Sequence, residues 1–211
     1  MIDRMVLMDH SRATALDRYT SLRHYSVGNQ RFEKDAEETV QEFYNAPDKK
    51  RFEVVSVAGS PYLRQKVIDR LLEAEIASVG DEKQDQSHIT PRNYTFDLTG
   101  TESIDGHFCY VLEVKPKVAK KYLMRGRIWV DATDFAIVRM EGSPAHNPSF
   151  WTRKIHFIRR YEKHGAFWLP ASTVSEADLF VAGKSTLRID YSDYRISAQS
   201  DASLSPDVAA R

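Results

Sequence analysis

Between Asn93 and Tyr194 the chain alternates apolar and polar residues in short runs separated by turn signals: NYTFDLTG, HFCYVLEVKPK, LMRGRIWVDA, FAIVRMEG, TRKIHFIRRYEKHG, AFWLPAS and STLRIDYSDYRI. A period of two sends successive side chains to opposite faces, so each run reads as a strand with one buried face. Strands that follow one another with no long helical pattern between them pair with their neighbours and build one antiparallel sheet. This repetition constrains the chain more than any other feature. A large sheet with an apolar face curls, and that face has to be covered.

The remainder of the sequence supplies the cover. Residues 4 to about 19 read as a helix with Met5, Met8, Arg12, Ala15, Leu16 and Tyr19 near one face, Arg12 being the weak member. YTSLRHYSV, EETVQEFYN and RFEVVSV then read as three strands of a meander, divided by a polar turn at Asn29–Asp35 and by APDKK. Ser60-Pro61 is a helix start, a capping serine before a proline at the first helical position. Leu63, Val67, Leu71 and Ala74 follow on one face, flanked by Ile68 and Leu72, with Gly80 as the stop before a polar loop. The loop GSPAHNPS, with two prolines, is expected not to be strand. The predicted fold class is α+β: a single curved antiparallel sheet, an open half-barrel, with two helices covering its concave face. Residues 1–196 are expected to form one domain, and 197–211, small and polar with a proline, a disordered tail.

Composition narrows the function. The 211 residues carry 30 Lys+Arg and 30 Asp+Glu, a net charge of zero, where nucleic-acid binding favours a positive excess. The single cysteine, Cys109, rules out an intramolecular disulfide and a Cys-rich zinc site. No apolar run is long enough to span a bilayer as a helix. The opening MIDRMVLMDHSR, broken by Asp3, Arg4 and Asp9, does not read as a signal peptide, which leaves the compartment open.

Several groupings of reactive side chains have a simpler structural reading. His107 and Cys109 share a strand face, but no further ligand or base stands in register, so Cys109 reads as a small buried hydrophobe. Asp131-Ala-Thr-Asp134 has turn chemistry, with Glu141 after the next strand. Ser149-Phe150-Trp151 lacks the glycines of a nucleophile elbow. His146, His156 and His164 are dispersed; an enzyme on the sheet would draw on His146, His156 and Asp131 as its least unfavourable parts. The expectation is that His107, Cys109, Asp131, Asp134 and Glu141 do not converge, and that the chain uses no catalytic residue, metal or cofactor.

The apolar strand faces carry more weight. Phe108, Tyr110, Leu112 and Val114 share one; Ile128 and Val130 another; Ala136, Val138 and Met140 a third; Ile155, Phe157 and Tyr161 a fourth; Leu187, Ile189 and Tyr191 a fifth. A plain core explains them all. A ligand cavity would be lined by the same set, chiefly Phe108, Tyr110, Leu112, Val114, Ile128, Val130, Val138, Met140, Phe157, Leu187 and Ile189. Strand parity predicts that Tyr110, Leu112, Val130 and Val138 point at the helices. Lys115, Lys117, Lys120, Lys121, Arg125 and Arg127 cluster around one connection. Of these, Lys117, Lys120, Lys121 and Arg125 are the surface-contact candidates, suited to anionic headgroups or an acidic partner.

The words YVLEVKPK (Tyr110–Lys117), GRIWVDATDFAIVRMEG (Gly126–Gly142), FWLP (Phe167–Pro170) and STLRIDYSDYRI (Ser185–Ile196) resemble those of the LolA-like superfamily, periplasmic lipoprotein-localisation carriers and outer-membrane lipoprotein-sorting proteins. The resemblance implies an open half-barrel closed by helices, an apolar cavity for acyl chains and a periplasmic location. It transfers no individual ligand residue. The expected function is non-enzymatic binding of a lipid or lipoprotein acyl chain, with a membrane-associated protein as a possible partner. The alternatives are a sensory or structural domain of the same fold with a filled core, and an enzyme on the sheet.

Overall fold

The computed structural model describes residues 1–31, 34–47, 49–77, 88–120, 123–146, 152–179 and 183–198. Helix α1 (Ile2–Ala15) leads directly into strands β1 (Leu16–Asn29), β2 (Lys34–Asn45) and β3 (Lys49–Gly59). A second helix, α2, spans 61–77. Seven strands follow: β4 (Tyr94–Ile104), β5 (His107–Pro116), β6 (Met124–Asp131), β7 (Ile137–Pro144), β8 (Thr152–His164), β9 (Phe167–Leu179) and β10 (Gly183–Ala198).

All ten strands form one antiparallel sheet in the order β3-β2-β1-β10-β9-β8-β7-β6-β5-β4. Consecutive strands pair with one another except β3 and β4, and β1 pairs on its other side with β10. The sheet is curved and open, with β3 and β4 as its edges, so the segment carrying α2 has to travel from one edge to the other. This is the single open sheet with two helices that the alternation predicted.

Both helices lie on one face. Tyr25, Ile189, Thr173, Arg159, Met140, Ile128 and Leu112 are successive register partners from β1 to β5. Directly opposed residues share a face, so this row marks one side of the sheet. Met5 of α1 packs at the Leu112–Ile128 end of the row, and Ile68 and Leu72 of α2 pack at the Tyr25–Ile189 end.

The helices differ from expectation in extent and facing. The first ends at Ala15, and Leu16 and Tyr19 belong to β1, because β1 pairs with β10 from Leu16 onward. In α2, Ile68 and Leu72 are the buried residues while Leu71 is exposed. The reason is a π-helical stretch at Arg64–Asp69, whose wider turn brings residues five apart, Leu63 with Ile68 and Val67 with Leu72, onto the sheet side. Ser60 Oγ accepts from Leu63 N at 3.4 Å, the capping contact its sequence position suggested. The expected stop at Gly80 and the start of the polar loop after it fall in 78–87, outside the described residues.

Strand β7 runs further than the proline-bearing loop suggested, with Pro144 at its end opposite Met124. A proline is tolerated there because a strand end needs no further ladder donor. Gly126 and Gly142 face each other across β6 and β7. A Cβ on Gly142 would lie 2.2 Å from the Arg125 carbonyl oxygen, so the backbones approach too closely for a side chain. The expected tail is strand up to Ala198, and 199–211 lie outside the described residues.

Candidate functional site

The helix-bearing face divides into an apolar half, an ionic half and a strip between them. In the apolar half, Met5, Tyr94, Leu112, Val114, Leu123, Met124, Ile128 and Val130 form a buried cluster. Ile2 and Val6 of α1 pack on it, as do Phe96, Ile137, Met140 and Phe157 of the sheet. The Tyr94 hydroxyl accepts the Met124 N–H at 3.0 Å, which satisfies a buried donor at the start of β6.

Helix α1 is held over this cluster by arginines. Arg12 donates to the carbonyls of Asp134 and Phe135 at 2.9 and 3.5 Å, and the Arg4 guanidinium sits 4.6 Å from the centre of the Phe135 ring. The weak member of the predicted apolar stripe is therefore a clamp. Phe135 has a left-handed backbone (φ 52°), a conformation costly for an aromatic residue, at the turn that receives Arg12.

Between α1, residues 88–92 and strands β7 to β9 lies a cavity of about 690 Å³. Its apolar wall includes Met5, Val6, Phe135, Ile137, Met140 and Leu169, and its polar wall includes His10, Arg12 and Tyr161. The Tyr161 hydroxyl is 3.1 Å from Met140 Sδ. The volume falls within the range of small-molecule sites, and an apolar wall with a few polar groups is their usual lining.

The ionic half lies under α2. Glu42 is fully buried and Arg23 is 4% exposed. Glu42 accepts from Tyr19 Oη at 3.0 Å, Ser21 Oγ at 2.9 Å and Arg23 Nε at 2.8 Å, and also from Arg23 Nη2. Arg23 reaches Glu75 near the end of α2 at 2.7 and 3.1 Å, and Lys50 reaches the same carboxylate at 2.6 Å. Burial works to raise the Glu75 pKa, but the hydrogen bonds and charges of Arg23 and Lys50 outweigh it and hold the group at about 2. Burial raises the Tyr25 phenol to about 12, and burial followed by the Glu42 charge pushes Tyr19 up as well.

This network was not foreseen. Its signal was a parity conflict: Arg23 alternates with Tyr25 and Val27 in β1, and Glu42 with Val40 in β2. A charge at the apolar parity in each of two paired strands points to a buried ion pair.

The other face of the sheet carries its own cluster. Cys109, Val111, Trp129 and Val138 are buried there, with Ile104 and Trp168 against them. Trp129 Nε1 donates to Glu102 at 2.7 Å, and the Arg139 guanidinium lies 4.6 Å from the Trp129 ring. Against expectation, His107 Nδ1 and Asp131 Oδ2 meet at 3.1 Å. The cause is register: Cys109 is paired opposite Asp131, so His107, two residues before Cys109, comes within reach.

Asp131 also plays the turn role read from the sequence, with Oδ1 accepting the Thr133 and Asp134 N–H groups at 2.9 and 2.6 Å. Cys109 is fully buried, and burial, then Asp131 and Glu102, raise its thiol to about 11, which keeps it protonated and a poor nucleophile at neutral pH. Asp134 binds Lys163 at 2.7 Å and Trp168 Nε1 at 2.9 Å. Glu141 binds Arg139 at 2.6 Å and lies 3.6 Å from His156. Among the described residues no group of three or more His, Cys, Asp or Glu side chains is arranged to hold a metal ion.

The cavity candidates thus fall into separate places. Leu112, Val114, Ile128 and Val130 are buried under α1, with Met140 and Phe157 beside them, and Met140 alone lines the cavity. Leu187 and Ile189 pack under α2. Phe108 is 55% exposed near the β4 edge, with Tyr110 beside it in an edge-to-face contact at 6.4 Å. Val138 lies on the opposite face with Trp129. A bulge between β6 and β7 pairs Val130 with Ile137 and Trp129 with Arg139, which breaks the parity that had put Val138 with Met140. Sequence reasoning missed Ile137, Phe135 and α1's Val6 as lining residues, because a bulge and a helix docking angle leave no period-two trace.

Of the surface candidates, Lys117 donates to the Pro91 carbonyl at 2.6 Å, Lys120 and Arg125 are exposed, and Lys121 lies outside the described residues. No helix among the described residues is long and apolar enough to cross a membrane.

Comparison with solved structures finds similar architectures at low identity. A LolA superfamily protein from Nitrosomonas europaea is 13% identical, with 93% of each chain covered and a TM-score of 0.49. A DUF1329 family protein from Desulfovibrio piger is 17% identical over 97% of this chain and 93% of that one, with a TM-score of 0.44. An outer membrane lipoprotein-sorting protein domain from Vibrio parahaemolyticus is 12% identical over 96% and 95%, with a TM-score of 0.42. No curated protein matches the sequence. A family model described as "Uncharacterized protein" matches residues 78–204, which take in all of β4 to β10. With more than half of its length matched, the chain belongs to that family.

Proposed function

We propose that the protein is a non-enzymatic carrier that takes an acyl chain of a lipid or lipoprotein into the space between α1 and the sheet. The observation that carries this reading is the cavity of about 690 Å³ with its apolar wall of Val6, Phe135, Ile137, Met140 and Leu169. The resemblance of Tyr110–Lys117, Gly126–Gly142, Phe167–Pro170 and Ser185–Ile196 to LolA-like words supports it, and with it a periplasmic location. A sixteen-carbon chain buries about fifteen carbons at about 0.8 kcal/mol each, a gross gain on the order of 12 kcal/mol, much of which ordering and association remove. Release then requires α1 to move, and α1 is tied to the sheet by Arg12 and one apolar stripe. The exposed Lys120 and Arg125 suit approach to an anionic membrane surface or an acidic membrane-associated protein.

The test is native mass spectrometry of gently purified protein together with uptake of a fluorescent fatty acid by wild type and by Ile137→Trp. Overpacking costs about 1–3 kcal/mol in a close-packed site and less in a void. The expected result is a co-purified acyl lipid and a variant of near-normal stability that no longer takes up the probe. A wild type that binds no acyl ligand, and a variant that loses stability, would make the site ordinary core and favour the structural or sensory alternative.

A further inference from the structure

The strip between the two helices contains a guanidinium, that of Arg159, with no ion-pair partner among the described residues. Arg159 lies in the cross-sheet row between Thr173 and Met140, so it points to the helix-bearing face at the middle of the sheet. Its Nε donates to Thr173 Oγ1 at 3.0 Å. Among the described residues no carboxylate stands within ion-pair distance of it. The nearby acids are committed elsewhere: Glu42 to Arg23, and Glu75 to both Arg23 and Lys50. Two cations and two carboxylates balance within that network, and Arg159 adds a positive charge beside it. Charges taken out of water are normally paired, so a half-buried guanidinium with no carboxylate at ion-pair distance among the described residues is suited to bind an anion.

Its polar surroundings border the cavity. Tyr161, two residues along the same strand and about 6.6 Å away in strand rise, lines the cavity. Tyr161 and Tyr191 both act on the Arg159 charge: burial works against it, and the two phenols and Glu75 counter that and hold its pKa above the usual arginine value. Phenol hydroxyls and a guanidinium fork can together hold a carboxylate or a phosphate.

We propose that the ligand is an anionic amphiphile whose acyl tail occupies the cavity between α1 and β7–β9 and whose carboxylate or phosphate head is bound by Arg159, with Tyr161 at the junction. This rests on the carrier reading and adds the chemical class of the head. Arg159 acts here as a binding residue, with Thr173 fixing its orientation.

The experiment measures binding of palmitate, palmitoyl lysophosphatidate and hexadecanol, three molecules with the same tail length, by displacement of a fluorescent fatty alcohol. The wild type should bind at least one of the two anions about ten- to a hundredfold tighter than hexadecanol, the range for one charge-assisted contact. Preference between palmitate and lysophosphatidate tells a carboxylate head from a phosphate head. Arg159→Gln should weaken anion binding about ten- to a hundredfold and so remove the preference, and Arg159→Lys should restore part of it. Equal binding of all three by the wild type overturns the headgroup site and leaves the acyl cavity standing. Binding of none overturns both. The comparison among ligands on the wild-type chain decides the matter even where a variant folds poorly.

Discussion

The two halves of the covered face solve the same problem with different chemistry. Under α1, burial is apolar throughout, from Met5 to Val130, and the helix is fixed by Arg12 to backbone carbonyls at its far end. Under α2, a small apolar cluster of Tyr25, Val27, Val40, Ile68 and Leu72 sits beside Arg23, Glu42, Lys50 and Glu75. An apolar contact is non-directional and tolerates sliding and incomplete filling, and the cavity lies on that side. A buried ion network is directional and fixes one arrangement of helix and strand, because any displacement leaves a charge without a partner. The difference assigns adaptability to the α1 half and position to the α2 half.

The largest expected effect breaks the ionic half. Arg23→Leu leaves Glu42 fully buried with two hydroxyl donors and with Lys50 at 3.9 Å. The loss should be about 3–5 kcal/mol, read as a lower urea midpoint with an unchanged slope. A loss under about 1 kcal/mol would show that the network does not hold the α2 half.

A smaller loss is expected from Met5→Ala. Met5 is 3% exposed in the apolar cluster, but it also borders the cavity, so its truncation extends a space that already exists. The cost should fall near the low end of the buried-methionine range, about 2 kcal/mol, measured by the same denaturation. A cost as large as that of Arg23→Leu would mean the α1 half is as tightly specified as its partner.

The smallest effect sharpens the comparison through pH. The folded pKa of Glu75 is depressed from 4.5 to about 2, so the unfolded chain binds this proton more readily. Its stabilising contribution is fully present above about pH 4.5 and is lost as pH falls toward and through 2. With the side chain 32% exposed, solvent screening leaves a contribution on the order of 1 kcal/mol. Amide hydrogen exchange should show 61–77 losing protection over this window before 2–15 does. The Asp134 carboxylate, also depressed by its hydrogen bond to Lys163, binds Lys163 and Trp168, while Arg12 of α1 is held by the Asp134 carbonyl. Simultaneous loss at both helices would contradict the division of roles.

The same contrast explains how far the sequence could be read. The apolar half announced itself, since Leu112 and Val114 in β5 and Ile128 and Val130 in β6 keep strict alternation and all lie under α1. The ionic half was less plain, because Arg23 and Glu42 each only break the apolar parity of their own strand, and the two breaks read as an ion pair once β1 and β2 are paired and α2 is laid over them. The cavity was legible as a type of space and not as a place. Its wall combines Val6 of a helix, Phe135 of a turn and Ile137 displaced by a bulge, so that Met140 is its one lining residue drawn from the predicted set.

By itself the sequence determined the type and order of the secondary elements, the single sheet with two one-sided helices, the burial of Cys109 and the turn bonding of Asp131. These follow from local periodicity and turn chemistry, which act over a few residues. Tertiary structure alone decided which face Val138 took, which residues α2 presented, and that Arg159 stands between Thr173 and Met140 in the middle of the covered face. Those outcomes depend on strand register, a bulge and a π turn, and on where charges from β1, β2, β3 and α2 end up relative to one another, and none of these is encoded at a single position along the chain.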